Sequence, residues 1–316
     1  MEHMRLQVTI LLLITLIIGL GASACSATSA TQAQFQVDLD DLQPLPDRQR
    51  SEVLPLRVAI AAIISPEGTV ESYDPLLKYL VERLDRPVEV EQRRTYAEVN
   101  ELVRTGEVDL AFVCTSAYIA GRQDFDMQLL VAPIVQGETF YRSQLIVPTN
   151  SAAVSIDDLR GKVFAFTDPM SFTGRVYPTY LLQQMETTPA EFFLRTFFTY
   201  SHDDAIMAVA NSLADGAAVD SLVLDFALAR DPELGAKLHI IHTSPPFGVP
   251  PVVVGPDIRP QLRVELESVF LSMHESPEGL RALQALDIER FTLVAPELYD
   301  AVEDITASVA CEGDQP

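Results

Sequence analysis

Cysteine is scarce in this sequence: 3 residues in 316, at Cys25, Cys114 and Cys311. None lie close enough in sequence to form a zinc-type pair, and so few in so long a chain exclude a disulfide scaffold. Positive charge is scarce too. Lys and Arg number 22 against 45 Asp and Glu, for a net charge of -23, and Arg5 and Glu2 cancel within the first segment. That balance argues against a nucleic-acid partner, which demands a clustered basic face. It leaves room for a buried anion site, because backbone amides and helix ends act locally. No G-x-S-x-G, P-loop or H-E-x-x-H signature occurs. Neither a cofactor nor a metal is therefore expected.

An apolar run of membrane-spanning length is missing from the amino terminus. Val8–Leu20 falls short of the ~20 residues a bilayer-crossing helix needs. With Arg5 before it and Gly21-Ala22-Ser23-Ala24 after it, the run reads as a signal peptide over residues 1–24. Cys25 then completes a lipobox. Cleavage before it would leave a diacylglyceryl thioether there and hold the protein at a membrane surface; the alternative is ordinary cleavage after Ala24, with Cys25 incidental. Residues 25–54 are Ser/Thr/Gln-rich, then Asp/Pro-rich, and without periodicity, as in a tether. The remaining body, about 260 residues, is large enough for two lobes.

That body alternates strand and helix patterns. Leu56–Ala62, Val88–Gln92 and Val108–Val113 read as strands. Between them, Tyr73, Leu76, Leu77, Leu80, Val81 and Leu84 form one amphipathic stripe, and Tyr96, Val99, Leu102 and Val103 a second, stopped by Gly106. The pattern resumes with strands at Lys162–Phe166, Phe197–Tyr200, Ala217–Val219 and Leu238–His242. Helices are expected from about Thr173, over Asp203–Leu213 and over Leu222–Ala229. After Val252–Val254, helices over Pro260–Met273 and Pro296–Val309 close the chain, the last with its carboxylates on a solvated face. Such alternation predicts an α/β fold with mostly parallel sheets. Two extended, proline-marked stretches, Gln144–Asn150 and Ser244–Pro251, are read as crossovers, giving lobe 1 as residues 55–147 plus 250–316 and lobe 2 as residues 148–249.

Ligands of open α/β sheets sit beyond the carboxyl ends of strands, and three strand ends here carry donors. Asp168-Pro169-Met170-Ser171-Phe172-Thr173-Gly174 puts two hydroxyls and a glycine at a helix start, an anion cradle or a plain N-cap. Ser201-His202-Asp203-Asp204 opens another helix with a donor of tunable charge, or a capping histidine. Cys114-Thr115-Ser116-Ala117-Tyr118 ends the third strand in a turn. His239 and His242, three apart on a strand, should face opposite ways and form no metal pair.

Taken in order, these segments resemble the phosphate/phosphite/phosphonate-binding family of ABC importers, a branch of the type II periplasmic binding proteins. The match runs from Val58 to about Val254. It includes Ser65-Pro66, Tyr73 and Pro75, Thr95-Tyr96-Ala97, Gly106-Glu107-Val108-Asp109-Leu110-Ala111, Tyr141, Asp168-Pro169, Ser171, Thr173-Gly174, His202 with Ala208-Val209-Ala210, and Ser244-Pro245. The resemblance implies a two-lobed fold with a hinged cleft, no enzymatic activity, a monomer, and delivery of a small oxyanion to a membrane permease. It further implies that Ser171, Thr173 and the Gly174 amide hold the oxyanion, with His202 donating from the second lobe. Tyr96 and Tyr141 would line the cleft, and Thr115 and Ser116 face the ligand beside Cys114. Positions that are acidic in aminoalkylphosphonate binders fall near Leu222 and Pro250, which favours phosphite, methylphosphonate or phosphate, although Asp220 is close by. Cys114 leaves a second reading open, an arsenite-type sensor presenting to a histidine kinase. A hydrolase built on Ser171 and His202 is the third.

Overall fold

The computed structural model describes residues 54–313. The signal-peptide and lipobox readings, with Cys25, and the side chain of Cys311 lie outside the described residues. The first sheet is built from β1 (Leu56–Ile60), β2 (Val88–Gln92), β3 (Leu110–Phe112), β4 (Gln128–Ile134), β12 (Val252–Val254) and β13 (Arg290–Thr292), in the order β13-β4-β12-β3-β1-β2. The second contains β6 (Ser143–Pro148), β7 (Val163–Phe166), β8 (Arg195–Phe198), β9 (Gly216–Asp220) and β10 (Leu238–Thr243), in the order β10-β6-β9-β7-β8. In the first sheet β1, β2 and β3 run parallel, and in the second β7, β8 and β9 do. The strand arriving from the other lobe, β12 or β6, lies antiparallel beside them. This is the two-lobed α/β architecture that the alternating pattern predicts.

The chain crosses between the lobes at β5 (Phe140–Tyr141) and β11 (Phe247–Gly248), which pair antiparallel as a two-stranded ribbon. The second crossing lies within the expected stretch Ser244–Pro251. The first lies before the expected Gln144–Asn150, because Ser143–Pro148 is already β6, paired with β9 and β10. An extended segment that enters a sheet directly has the same local pattern as a linker, and Pro148 merely ends the strand.

Local sequence sets the elements that matter for the cleft. Thr95 and Glu98 form a capping box: the Glu98 amide donates to the Thr95 hydroxyl at 3.3 Å, and the Thr95 amide to the Glu98 carboxylate at 2.9 Å. The box starts the helix Tyr96–Arg104 at Tyr96 itself. Cys114 to Tyr118, expected as a turn, instead opens a helix over Thr115–Phe125. Its buried positions include Thr115, Ser116 and Gly121 beside Ile119, so no apolar stripe marks it in the sequence.

The carboxyl-terminal segment is a 3-10 turn over Pro296–Tyr299 followed by a helix over Asp300–Gly313. Its carboxylates are not all solvated: Glu303 pairs with Arg122 and accepts from Gln123 at 2.7 Å. Tyr299 and Val302 enter a buried cluster with Tyr118 of the first lobe and Phe172 and Tyr177 of the second. The helix therefore packs on both lobes, beside the ribbon.

Candidate functional site

Strand β7, an all-apolar Val-Phe-Ala-Phe run, delivers the chain to Thr167-Asp168, and Asp168 shapes the turn beyond it. Its carboxylate accepts the Met170 amide at 2.7 Å and, across the cleft, the Tyr96 amide at 3.1 Å. Ser171 then caps a wide turn over Phe172–Val176, its Oγ accepting the Gly174 amide at 3.1 Å. A side chain at Gly174 would place Cβ 1.9 Å from Thr167 Oγ1, so only glycine lets this turn lie against the strand end. The turn closes through Val176 donating to the Ser171 carbonyl at 2.9 Å, an i→i+5 bond of the kind enriched at functional sites.

Strand β8 delivers His202, the first residue of the helix His202–Ala210. Its amide donates to the Ile63 carbonyl of the first lobe at 2.9 Å. The Asp220 amide, at the end of β9, donates to His202 Nδ1 at 3.0 Å. Nδ1 is thus an acceptor, and the proton of the neutral ring must sit on Nε2. Burial pushes the imidazole down to about 3, so His202 is a fixed neutral donor rather than a charge-tunable one. Nε2 lies 3.4 Å from Ser171 Oγ.

The first lobe contributes Tyr96 and Cys114, and the ribbon contributes Tyr141. All three are buried. Burial holds both phenols well above their ordinary range, with the neighbouring Cys114 and Asp220 adding to the effect at each. They are permanent O–H donors. The Tyr96, Tyr141, Thr167 and Thr173 hydroxyls are buried without a hydrogen-bond partner. Unpaired buried hydroxyls are costly, and a cluster of them beside an imidazole N–H is a set of donors arranged for an acceptor from outside the chain.

The remaining predicted residues reach the cleft but are engaged there. Thr115 donates to the Gly248 carbonyl at 3.1 Å, and Ser116 to the Met170 carbonyl of the other lobe at 2.8 Å. Their protons hold the ribbon and the closed cleft. The Gly174 amide is taken by Ser171, as described. Burial pushes the Cys114 thiol up to about 11. Two residues that sequence reasoning did not single out belong to the site: Thr167, visible as a hydroxyl ending an apolar strand, and Ser143, which donates to the Thr173 carbonyl at 2.7 Å.

No cation approaches the cradle from its own turn. Arg175 lies over the Phe166 ring at 4.9 Å and bonds Thr179 instead. Burial raises Asp168 and pushes Asp220 up to about 7. The site is therefore a neutral donor set bordered by two carboxyls that burial makes readier to hold a proton. His239 and His242 share a face, contrary to the expected alternation, because the register shifts between Ile240 and His242. They serve separate partners, the Ala153 carbonyl and the Tyr177 hydroxyl, both at 3.1 Å. Among the described residues no group of three or more His, Cys, Asp or Glu is placed to hold a metal. No described helix is long and apolar enough to cross a membrane.

Two lobes joined by a ribbon, with donors gathered at the facing strand ends, define a binding protein of the periplasmic type. The chain belongs to the family described as ABC transporter, phosphonate, periplasmic substrate-binding protein, which it matches over residues 58–299. A Mycolicibacterium smegmatis relative named phosphate-import protein PhnD is 31% identical over 191 residues, 56% of this chain and 60% of that protein. The chain is also similar to the binding component of a phosphonate ABC transporter from Pseudomonas aeruginosa, with a TM-score of 0.76 at 21% identity over 81% of this chain and 87% of the other. PhnD1 of Prochlorococcus marinus, solved in complex with methylphosphonate, gives 0.74 at 20% identity over 81% and 98%. The family consists of extracytoplasmic transport proteins, not enzymes. The cradle agrees, since an Nε2–H facing Ser171 cannot accept the serine proton as a general base must.

Proposed function

We propose that the protein captures a small phosphorus oxyanion in its interlobe cleft and delivers it to an ABC permease. The observation that carries this reading is the cluster of unpartnered buried hydroxyls, Tyr96, Tyr141 and Thr173, beside a histidine whose proton is fixed on Nε2. In this reading Thr173 and His202 donate to the oxyanion, and Ser171 turns its proton to the ligand while its oxygen keeps the Gly174 amide. Tyr96 and Tyr141 complete the shell from the first lobe and the ribbon. Cys114 is wall, and Thr115 and Ser116 fasten the closed form. The lobes hinge at the ribbon near residues 140–142 and 247–248, and ligand contacts from both sides favour closure. Cys25 carries the lipid that keeps the monomer at the membrane.

Two relatives, one named a phosphate importer and one solved with methylphosphonate, support phosphate or a phosphonate as ligand; phosphite has the same oxygen geometry. The arsenite reading gains no support, because soft coordination uses a thiolate and Cys114 is held protonated at neutral pH. A thermal-shift panel of phosphate, phosphite, methylphosphonate, 2-aminoethylphosphonate, sulfate and arsenite tests the assignment. At ~100 times its dissociation constant a ligand adds about 2.7 kcal/mol of stability. A shift with a phosphorus oxyanion is expected; a shift with arsenite alone, or none at all, rejects it.

A further inference from the structure

The lobes also touch on the side of the cleft away from the ribbon. The ribbon strands are flanked in the chain by β4 and β6 and by β10 and β12, and β2 and β8 end the strand order on the opposite side of each sheet. Arg94 follows β2, and Tyr200 follows β8. The Arg94 guanidinium lies over the Tyr200 ring, 4.2 Å from its centroid, a cation on an aromatic face across the cleft. Arg93 beside it pairs with Glu91 at 2.8 Å, whereas Arg94 makes no ion pair among the described residues. The stack is no part of a core: Arg94 is exposed, Tyr200 is half-buried, and both border an interlobe pocket of about 360 Å³ with Ser201.

Tyr200 holds φ at +65°, in the left-handed region that a bulky residue rarely adopts. Such conformations persist where the surroundings over-determine them, and they cluster at functional sites. Its amide donates to the Thr167 carbonyl at 2.9 Å, which ties the turn to the cradle wall. The residues after it grip the first lobe as well: the His202 amide donates to the Ile63 carbonyl at 2.9 Å, and Asp203 accepts the Ser65 amide at 2.8 Å. The imidazole donor of the cradle thus sits in a segment that holds the first lobe at both ends. We propose that Arg94 and Tyr200 are positioning residues, whose stack clasps the lobes before an oxyanion enters and so assembles His202 and Tyr96 into one shell. Far from the ribbon, the clasp acts where hinge opening separates the lobes most. It raises the share of free protein that is ready to bind. Its effect on affinity rests on the cradle reading above, and its effect on closure does not.

Amide hydrogen exchange in the free protein tests the clasp. The Ser65, Tyr96 and His202 amides donate across the cleft and exchange when the lobes part, whereas those of Gly174 and Asp220 donate within the second lobe. An exposed cation–aromatic contact corresponds to about a two- to fivefold change in an opening equilibrium. Arg94→Gln should speed exchange at the three crossing amides by that factor. So should Tyr200→Asn, because Asn tolerates the left-handed backbone. The double variant should go no further, and Tyr200→Phe should match the unmutated protein. Unchanged crossing amides, or equal acceleration at Gly174 and Asp220, overturns the clasp. Calorimetric titration with phosphate and methylphosphonate should show each single variant weakened by no more than the same factor; a larger loss means direct contact with the anion and overturns the positioning role. Silence of the unmutated protein toward both anions rejects the cradle reading, and exchange alone then decides the clasp.

Discussion

The sheets of the two lobes follow one plan, three parallel strands flanked by an antiparallel strand from across the ribbon, but their strand ends carry different chemistry. In the second lobe the donors are held by bonds within that lobe, Ser171 by the Gly174 amide and His202 by the Asp220 amide, and the Asp168 carboxylate that shapes their turn accepts the Met170 amide. In the first, Tyr96 presents an unpaired hydroxyl, and its amide reaches Asp168 only across the closed cleft. The second lobe is preorganised, and the first completes the shell on closing. Preorganisation reduces the ordering cost of binding, so the two halves should respond unequally to mutation.

The sharpest break in that asymmetry is Gly174→Ala. The new methyl group collides with Thr167, and overpacking at this turn should cost ~1–3 kcal/mol of stability and abolish detectable ligand binding by calorimetry. Thr167→Ala in the same chain should restore part of both, because it removes the two nearest obstructing atoms and leaves only Cβ. Next comes Thr173→Val, which deletes an unpaired hydroxyl at nearly constant volume. A bond to a charged ligand is worth ~1.5–3 kcal/mol, or about 10- to 100-fold in affinity. The free protein should melt at the same temperature or higher, since no internal bond is lost. Tyr96→Phe and Tyr141→Phe should follow the same divergence between stability and binding, with losses of under about tenfold each because those donors act after closure. Equal losses in both lobes would remove the distinction.

A smaller effect concerns pH. The Asp220 carboxyl is raised to about 7 in the folded chain, against an ordinary value near 4. Its protonated form is therefore favoured by folding: the contribution is full below about pH 4 and is lost as pH rises through 7. An anion in the cradle favours the same protonated form, so affinity should fall as pH passes from 6 to 8. Asp220→Asn should flatten that profile in titrations at fixed ionic strength while keeping the cap on Leu222. His202, lowered to about 3, acts oppositely on stability, which is present above its ordinary value and lost as pH drops through 6.5 toward 3. Smallest of all is Glu71→Gln, which breaks an exposed interlobe pair with Arg230 at 2.8 Å. Such pairs contribute ~0–1 kcal/mol, so ligand affinity should change less than about fivefold.

Much of this was legible in the chain. The strand runs at Leu56, Val88 and Lys162 and the apolar stripe from Tyr73 predict the elements seen, because their periodicity reflects which face is buried. Ser171, Thr173, Gly174 and His202 could be named because donors at strand ends are conspicuous among apolar neighbours. The direction of each proton could not be read. Thr115 and Ser116 look like ligand donors until their carbonyl partners, 133 and 54 residues away, are known. Asp220 looks like a helix cap, which it is, and its second role depends on β9 ending beside β8's histidine. The helix at Thr115 and the strand β4 escaped because buried polar residues in the one, and a run buried on both faces with Pro133 inside it in the other, leave no clean period.

The absence of a Lys or Arg from the cradle has a kinetic consequence. A body this acidic repels an approaching anion, and Arg93 and Arg94, which border an interlobe pocket beside Ser201, offset that field only locally. Added salt screens the approach within about 10 Å at 0.1 M, yet leaves the short hydroxyl and imidazole bonds inside untouched. Association should therefore accelerate with ionic strength while dissociation keeps its rate, the reverse of the behaviour of sites that attract anions with positive charge.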